Sequence, residues 1–307
     1  MKKVLTSPSS MGQVDRRPFD ILNEHGYEVI NNPYGRKLTE DEVIALAADC
    51  VGIVAGVEPL TRRVMEALPG LRCISRVGVG MDNVDIAFAK SRGIAVRNTP
   101  DGPTLGVAEL TLGLTMALLR RIPQADAAIK AGRWEKQIGS TLKGKTVGIV
   151  GLGRIGRMVA GFFRGLGNPV IGCDPYADAD WAGKLGVRIA TFDEVLGAAD
   201  ILTLHVPPLP GGKPLVAAAE LAKMKKGACL INTARGSLVD EAAVCAALKD
   251  GTLSGAAFDV FTSEPYKGPL AALDNVVLTP HIASYAAEVK LQMEIDAVNN
   301  LVEALKP

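Results

Sequence analysis

The stretch TVGIVGLGRIGRMVAGFF, residues 146–163, constrains this chain more than any other. An apolar, β-branched run passes directly into a helical pattern, and Gly151, Gly153 and Gly156 fall at the junction in G-x-G-x-x-G spacing. Gly151 permits a tight turn, Gly153 lets a backbone approach a pyrophosphate, and Gly156 lets helix and strand pack closely. The first helical turn, with Arg154 and Ile155, then offers unpaired N–H groups and a positive dipole end to phosphate. At the end of the run PVIGCD, eighteen residues past Gly156, stands Asp174. A carboxylate there accepts hydrogen bonds from the adenosine ribose and repels a 2′-phosphate, which favours NAD over NADP. The bland alternative is that the glycines only turn the chain and Asp174 caps a loop. A second glycine pair, Gly78 and Gly80 in VGVGMDN, has Asn83 at the third position, so no dinucleotide is expected there.

Around this motif the chain alternates short strand-like runs with amphipathic segments, the pattern of parallel α/β sheets. KVLTSP, YEVINN, VGIVAG, RCISRVG and IAVRN precede it; PVIGCD, VRIA, ILTLHV, ACLINTA, GAAFDV and NVVLTP follow. Thr39 with Glu42 predicts a capping box, and Thr61 predicts a cap for RRVMEAL. From Pro103 to Arg121 the pattern predicts a helix apolar on all sides, to be buried between domains or between subunits. The segment Ala286 to Leu305 predicts a closing helix that returns to the first domain.

At 307 residues and 48% apolar content the chain suits two domains. Lys plus Arg (34) and Asp plus Glu (33) nearly cancel, with no like-charge block, so no nucleic-acid surface is expected. The five cysteines are scattered and form no metal-ligand or disulfide pattern; they read as core residues of a cytoplasmic protein, and no metal is expected. No signal-peptide stretch follows the N-terminal lysines, and no apolar run is long enough to span a bilayer.

Downstream of the glycines, three charged residues sit at or just beyond strand-like runs: Arg235 after CLINTA, Glu264 after FDVFTS and His281 after VVLTP. Strand carboxyl ends line the ligand crevice of an open parallel sheet, so the three are expected to meet there. Hydride transfer from a dinucleotide to a carbonyl carbon requires a proton donor and a cation at the oxygen. His281 suits the first need, with Glu264 fixing its tautomer. The planar fork of Arg235 suits the second. Each residue alone also admits an ordinary structural role.

The region NTARGSLVDEAAVCAALKDGTLSGAAFDVFTSEP with LDNVVLTPHIA closely resembles the signature of the D-2-hydroxyacid dehydrogenases. GLGRIG, SRVGVGMDNVD and NTPDGPTLGVAEL extend the likeness over most of the chain. The resemblance implies two Rossmann-like, doubly wound parallel-sheet domains, one flavodoxin-like and one NAD-binding, with the active site in the cleft between them. Residues 99–283 would form the NAD domain, inserted into a substrate domain of residues 1–98 and 284–307. It further implies Arg235, Glu264 and His281 as the catalytic arginine, glutamate and histidine. Val77 and Gly78 would offer backbone N–H groups to the substrate carboxylate, and Arg76 charge to a substrate tail. Val206, Pro207, Thr233 and Ala234 would join the cofactor contacts, with Asp259 facing the nicotinamide carboxamide. His205 would stand beside the nicotinamide, or equally serve as a satisfied strand-end histidine. His25, before Gly26, reads as a helix C-terminal dipole partner.

Three departures from the family pattern bear on ligands. PPLPGGKP (207–214) brings Pro208 and Leu209 where a leucine and a threonine are common, Tyr285 stands where a small polar residue is frequent, and Pro103 replaces the asparagine of phosphoglycerate-acting relatives. The chain's end at Pro307 leads us to expect no C-terminal regulatory domain. The expected protein is an NAD-dependent oxidoreductase of small D-2-hydroxy acids, a homodimer through the 103–121 helix. The rival is an NADH-sensing corepressor-like protein of the same superfamily. Loops near Ser9, Val57 and Tyr285 would set the substrate's side chain.

Overall fold

The computed structural model of the protein describes residues 1–306, which divide into two compact units. The first comprises Met1–Pro103 with the segment that begins at Ser284; the second is Thr104–Ala283. In the first unit β1 (Lys2–Thr6), β2 (Tyr27–Asn31), β3 (Cys50–Ala55), β4 (Cys73–Arg76) and β5 (Ala95–Arg97) form one parallel sheet in the order β2-β1-β3-β4-β5. The chain winds one way from β1 to β2 and the other way from β3 onward, so a switch point lies between β1 and β3.

The second unit holds seven parallel strands: β6 (Val147–Val150), β7 (Val170–Cys173), β8 (Val187–Ile189), β9 (Ile201–Leu204), β10 (Ala228–Asn232), β11 (Leu253–Phe258) and β12 (Val276–Leu278). Their order is β12-β11-β10-β9-β6-β7-β8, doubly wound about β6 and β9. β6, β9 and β10 are buried along their whole length, which accounts for their largely apolar sequence, Thr203 and Asn232 being the polar members of β9 and β10.

Helix ends follow local chemistry in most places. Thr39 and Glu42 form the capping box, with Thr39 N–H donating to Glu42 Oε2 at 2.9 Å and Glu42 N–H to Thr39 Oγ1 at 3.3 Å. Thr61 precedes the helix Arg62–Ala67 but makes no side-chain cap; its hydroxyl is turned to donate to the Glu40 carboxylate. His25 closes Arg17–Glu24 with Nδ1 2.8 Å from Ile21 O. The helix Ala287–Ala304 turns Val289, Met293, Ala297, Val298 and Leu301 inward, and its later members share a core with Val4, Val54 and Cys73 of the first unit. Near its start, Lys290 and Glu294 pair in the interior; Lys290 Nζ also donates to Ser10 O and Glu294 Oε2 accepts from Gly12 N–H, tying down the loop after β1.

The helix Thr104–Leu119 differs from expectation. Ala108, Thr111, Leu114, Thr115 and Leu118 are buried, but Leu105, Glu109 and Gly113 lie open on the opposite side. Uniform apolarity recorded composition here rather than burial, because Thr111 and Thr115 turn their hydroxyls back onto Val107 O and Thr111 O and can therefore face the core. All five cysteines are unpaired and four are buried; burial pushes the thiol of Cys73 up to about 12 and that of Cys50 up to about 11, as suits inert core residues. Among the described residues no helix is long and apolar enough to cross a membrane and no metal-ligand cluster occurs.

Candidate active site

The glycine motif is built as its spacing demands. Gly151 adopts φ +95°, and a Cβ there would meet His205 O at 2.4 Å. At Gly156 a Cβ would lie 1.9 Å from Gly151 O, so any side chain would separate helix from strand. Around Gly153 the space is open, with nothing within 4 Å of a Cβ position. Gly153 caps the helix Arg154–Gly165 without any side-chain bond, and the first intrahelical bond is Arg157 N–H to Gly153 O at 2.9 Å. The first turn of this helix, from Gly153 onward, presents its N-terminal end beside the open space over Gly153, which suits an anion. Asp174, partly exposed past β7, accepts from Leu152 N–H and Tyr176 N–H, both at 2.8 Å. It shapes the glycine loop as well as standing at its edge.

Glu264, past β11, and His281, past β12, come together: His281 Nδ1 lies 3.0 Å from Glu264 Oε2 and 3.2 Å from Oε1. Their side chains keep 44% and 39% exposure, so the pair is reachable. Burial raises the Glu264 carboxyl, but the bond to His281, its charge, the Phe261 N–H and the Arg235 guanidinium outweigh it and leave the acid below its ordinary value. Glu264 thus stays ionised at neutral pH, and Nδ1 carries the donated hydrogen.

A turn with φ +55° at His281 holds the ring there. Such a backbone is uncommon outside glycine and costs on the order of 1 kcal/mol. Asp259, wholly buried at the end of β11, offsets it: Oδ1 accepts from Thr279 Oγ1 (2.6 Å) and Ile282 N–H (2.8 Å), and Oδ2 from Ala283 N–H (3.0 Å). Burial nevertheless pushes the Asp259 carboxyl above its ordinary value, against these donors and the nearby His281. The carboxylate that the resemblance assigned to the carboxamide is committed to the histidine turn.

Arg235 sits on the loop after β10. Asn232, fully buried, forms that loop by accepting from Ala234 N–H (3.1 Å) and donating to Arg235 O (2.9 Å). Gly236 packs so tightly on the Phe261 backbone that a Cβ would come within 1.9 Å of its carbonyl carbon. Asn232 and Gly236 were both in view in the sequence, yet nothing marked them as supports. Thr233, buried on this loop, shares a hydrogen bond with Thr111 at 2.9 Å, and Ala234 lies half-buried beside it.

His205 follows β9, with Nε2 2.9 Å from Thr203 Oγ1 and Nδ1 buried without a partner among the described residues. Loss of solvent pulls its pKa down to about 3, so the ring is neutral at physiological pH, with one ring N–H and no positive charge. Val206 is half-buried against the sheet and Pro207 is exposed at the rim.

The first unit corrects one expectation. Val77 N–H donates to Ala55 O and Gly78 N–H to Thr99 Oγ1, each at 2.8 Å, so neither amide is available to a substrate carboxylate. The parallel sheet takes the first donor, because Val77 still continues the β4 ladder. Val79 and Gly80 N–H groups have no acceptor among the described residues. Arg76 lies over this loop, with Nη1 2.7 Å from Val77 O.

A family model, D-isomer specific 2-hydroxyacid dehydrogenase, NAD binding domain, matches residues 112–283, more than half of the chain and almost all of the second unit. The chain belongs to the D-isomer specific 2-hydroxyacid dehydrogenases. A curated D-3-phosphoglycerate dehydrogenase of Pongo abelii is 39% identical over the whole of this chain, which spans 57% of that relative's length. The chain thus spans little more than half of such curated relatives. Among solved structures, the TT0316 protein from Thermus thermophilus is 36% identical with a TM-score of 0.90, over 99% of this chain and 96% of that one. A glyoxylate reductase from Paecilomyes thermophila is 28% identical with a TM-score of 0.87, over 99% and 95%. For a dehydrogenase of this family, the open space over Gly153, the helix N-terminus that follows it and the nearby Asp174 fit a dinucleotide.

Proposed function

We propose that this chain is an NAD-dependent dehydrogenase that interconverts small D-2-hydroxy acids and 2-keto acids. The observation that carries the reading is the His281–Glu264 hydrogen bond, made in the same unit as the glycine cradle. NAD, when bound, takes or supplies the hydride. Gly151, Gly153, Arg154, Ile155 and Gly156 hold its pyrophosphate, Asp174 its ribose, and His205, Val206, Pro207, Thr233 and Ala234 border the nicotinamide, with Asp259 acting through the histidine turn. Because Glu264 holds Nδ1–H, the other ring nitrogen of His281 is the one that exchanges a proton with the substrate oxygen. In reduction the imidazolium donates to the carbonyl oxygen, and in oxidation the neutral ring takes the hydroxyl proton. Arg235 binds the substrate carboxylate and the oxygen on which charge develops. Within the first unit, the amides that would meet an anion are those of Val79 and Gly80 rather than Val77 and Gly78, with Arg76 beside them.

NADH oxidation with glyoxylate, hydroxypyruvate and pyruvate is the direct test. Turnover of at least one is expected; silence on all three with intact NADH binding would replace the enzyme by the NADH-sensing reading. Asp174→Ala should relax the preference for NAD over NADP by about tenfold, the worth of one charge-assisted contact. Unchanged discrimination would locate ribose recognition elsewhere.

We also propose a homodimer through the second unit. Leu105, Ile122 and Ile129 are exposed, and between residues 131 and 141 every residue is exposed, including Trp134 at 83% and Ile138 at 95%. So much open apolar surface on one segment and its neighbouring helices suits a partner copy. Sedimentation should find twice the 32.2 kDa chain mass, and a double Trp134→Ser, Ile138→Ser variant should shift toward monomer. A dimer unaffected by both changes would place the interface elsewhere.

A further inference from the structure

Two threonines one turn apart on the helix Thr104–Leu119 are both buried, and one of them does more than burial requires. Thr115 Oγ1 donates to Thr111 O at 2.7 Å, a bond within the helix that satisfies its hydrogen. Thr111 Oγ1 donates likewise to Val107 O at 2.7 Å, but it also lies 2.9 Å from Thr233 Oγ1, 122 residues further along the chain. A hydroxyl carries one hydrogen, so with that of Thr111 on Val107 O the second bond is made by Thr233 as donor. Both residues are buried, and no other group among the described residues accepts from the Thr233 hydroxyl. Thr233 stands where the sheet stops holding the chain: β10 pairs with β9 and β11 as far as Asn232, opposite Leu204 and Phe258. The loop 233–236 that follows carries Arg235. Asn232 holds it through Ala234 N–H and Arg235 O, and Gly236 seats it against the Phe261 backbone. Thr111 holds the remaining side, from the helix. All of these groups belong to the second unit.

We propose that Thr111 is a positioning residue: by accepting the Thr233 hydroxyl it pins the loop 233–236 to the helix Thr104–Leu119 and so sets where the Arg235 guanidinium stands for the substrate. This rests on the dehydrogenase reading and adds to it a residue that touches neither substrate nor cofactor. Without the Thr111 oxygen the Thr233 hydroxyl is buried with nothing to donate to, so Thr233 must turn about its Cα–Cβ bond or shift its backbone to recover a partner. Arg235 stands two residues on. A displacement of about 1 Å in a group that orients a reacting substrate costs up to about a hundredfold in rate. Thr115 supplies the matching comparison, with the same residue type, burial and bond to its own helix but none to the loop.

The test measures kcat/KM in the full chain for whichever of glyoxylate, hydroxypyruvate and pyruvate the parent reduces. Thr111→Val keeps the branched shape and removes the hydroxyl, and kcat/KM should fall at least about tenfold. Thr111→Ser, which keeps the hydroxyl, should stay within about threefold of the parent, and so should Thr115→Val. In a Thr233→Val background, Thr111→Val should add less than about twofold, because the bond is already gone. Unchanged kcat/KM in folded Thr111→Val, no rescue by serine, an equal loss in Thr115→Val, or full additivity with Thr233→Val overturns the proposal. Thr111→Ala carries the same comparison if the valine variant does not fold. A second readout needs no turnover: amide hydrogen exchange over residues 233–236 should quicken about fivefold in Thr111→Val, the worth of one buried hydrogen bond, and keep the parent's rate in Thr115→Val. If the parent reduces none of the three acids, the dehydrogenase reading fails by itself, and exchange alone decides Thr111. Equal rates in parent and Thr111→Val would then overturn the tether.

Discussion

His281→Ala is expected to lower kcat by about 10²–10⁴-fold, the usual range for loss of a positioned proton carrier, while the NADH dissociation constant changes less than about twofold. The separation follows from where the ring sits. His281 is 44% exposed on a turn that Asp259 holds from below, so truncating the side chain removes none of the three bonds to Thr279, Ile282 and Ala283. The glycine cradle lies on the loop after β6 and shares no hydrogen bond with that turn. What disappears is the imidazole and the hydrogen bond it makes to Glu264. Stopped-flow turnover beside NADH fluorescence titration gives the two numbers. A parallel loss of NADH affinity and kcat would make His281 a structural residue and remove the proton carrier from the mechanism. Alanine also relaxes nothing at φ +55°, so a glycine variant with the same kinetic defect and a higher melting temperature would separate backbone strain from chemistry.

Gly236→Ala should produce the second large effect, a fall of at least about a hundredfold in kcat/KM together with a loss of about 1–3 kcal/mol in stability. The added Cβ would stand 1.9 Å from the carbonyl carbon of Phe261, 2.3 Å from its oxygen and 2.3 Å from Thr262 N. All three are backbone atoms, so relief cannot come from rotating a side chain. Phe261 also donates its N–H to Glu264 at 3.1 Å, and Arg235 immediately precedes the glycine, so moving the loops apart carries the guanidinium away from the Glu264–His281 pair. Arg235 then no longer supports the low pKa of Glu264. Measured kcat/KM within about fivefold of the parent would mean that the two loops can part without disturbing the catalytic groups, and Gly236 would be a packing residue only.

These two residues also mark the border of what could be read from the chain. His281 announces itself, being one of three histidines and lying directly past a strand, where parallel sheets gather ligands. Gly236 does not, because its requirement comes from a segment some twenty-five residues away in sequence, and glycine spacing carries no record of which backbone will approach it. The same holds for Asp259. Its place at the end of β11 was visible, but its three bonds to the histidine turn depend on how β11 and β12 register. Val77 and Gly78 were misassigned because hydrogen bonding to Ala55 and Thr99 depends on β3 and on the loop after β5, both remote in sequence. Thr111 was passed over entirely, since one threonine in an apolar helix has no pattern until Thr233 is brought against it.

By itself the sequence determined the twelve strand segments, the parallel doubly wound sheets they enter, the glycine turn of the second unit and the family. Those properties rest on local terms: side-chain period, helix caps, and backbone freedom at a few glycines. Only the tertiary structure decided which amides remain available, which carboxylate supports His281, what Thr111 meets and which side of the 104–119 helix stays open. Each of these is set by groups distant along the chain competing for the same donor or the same volume, and that competition has no one-dimensional signature.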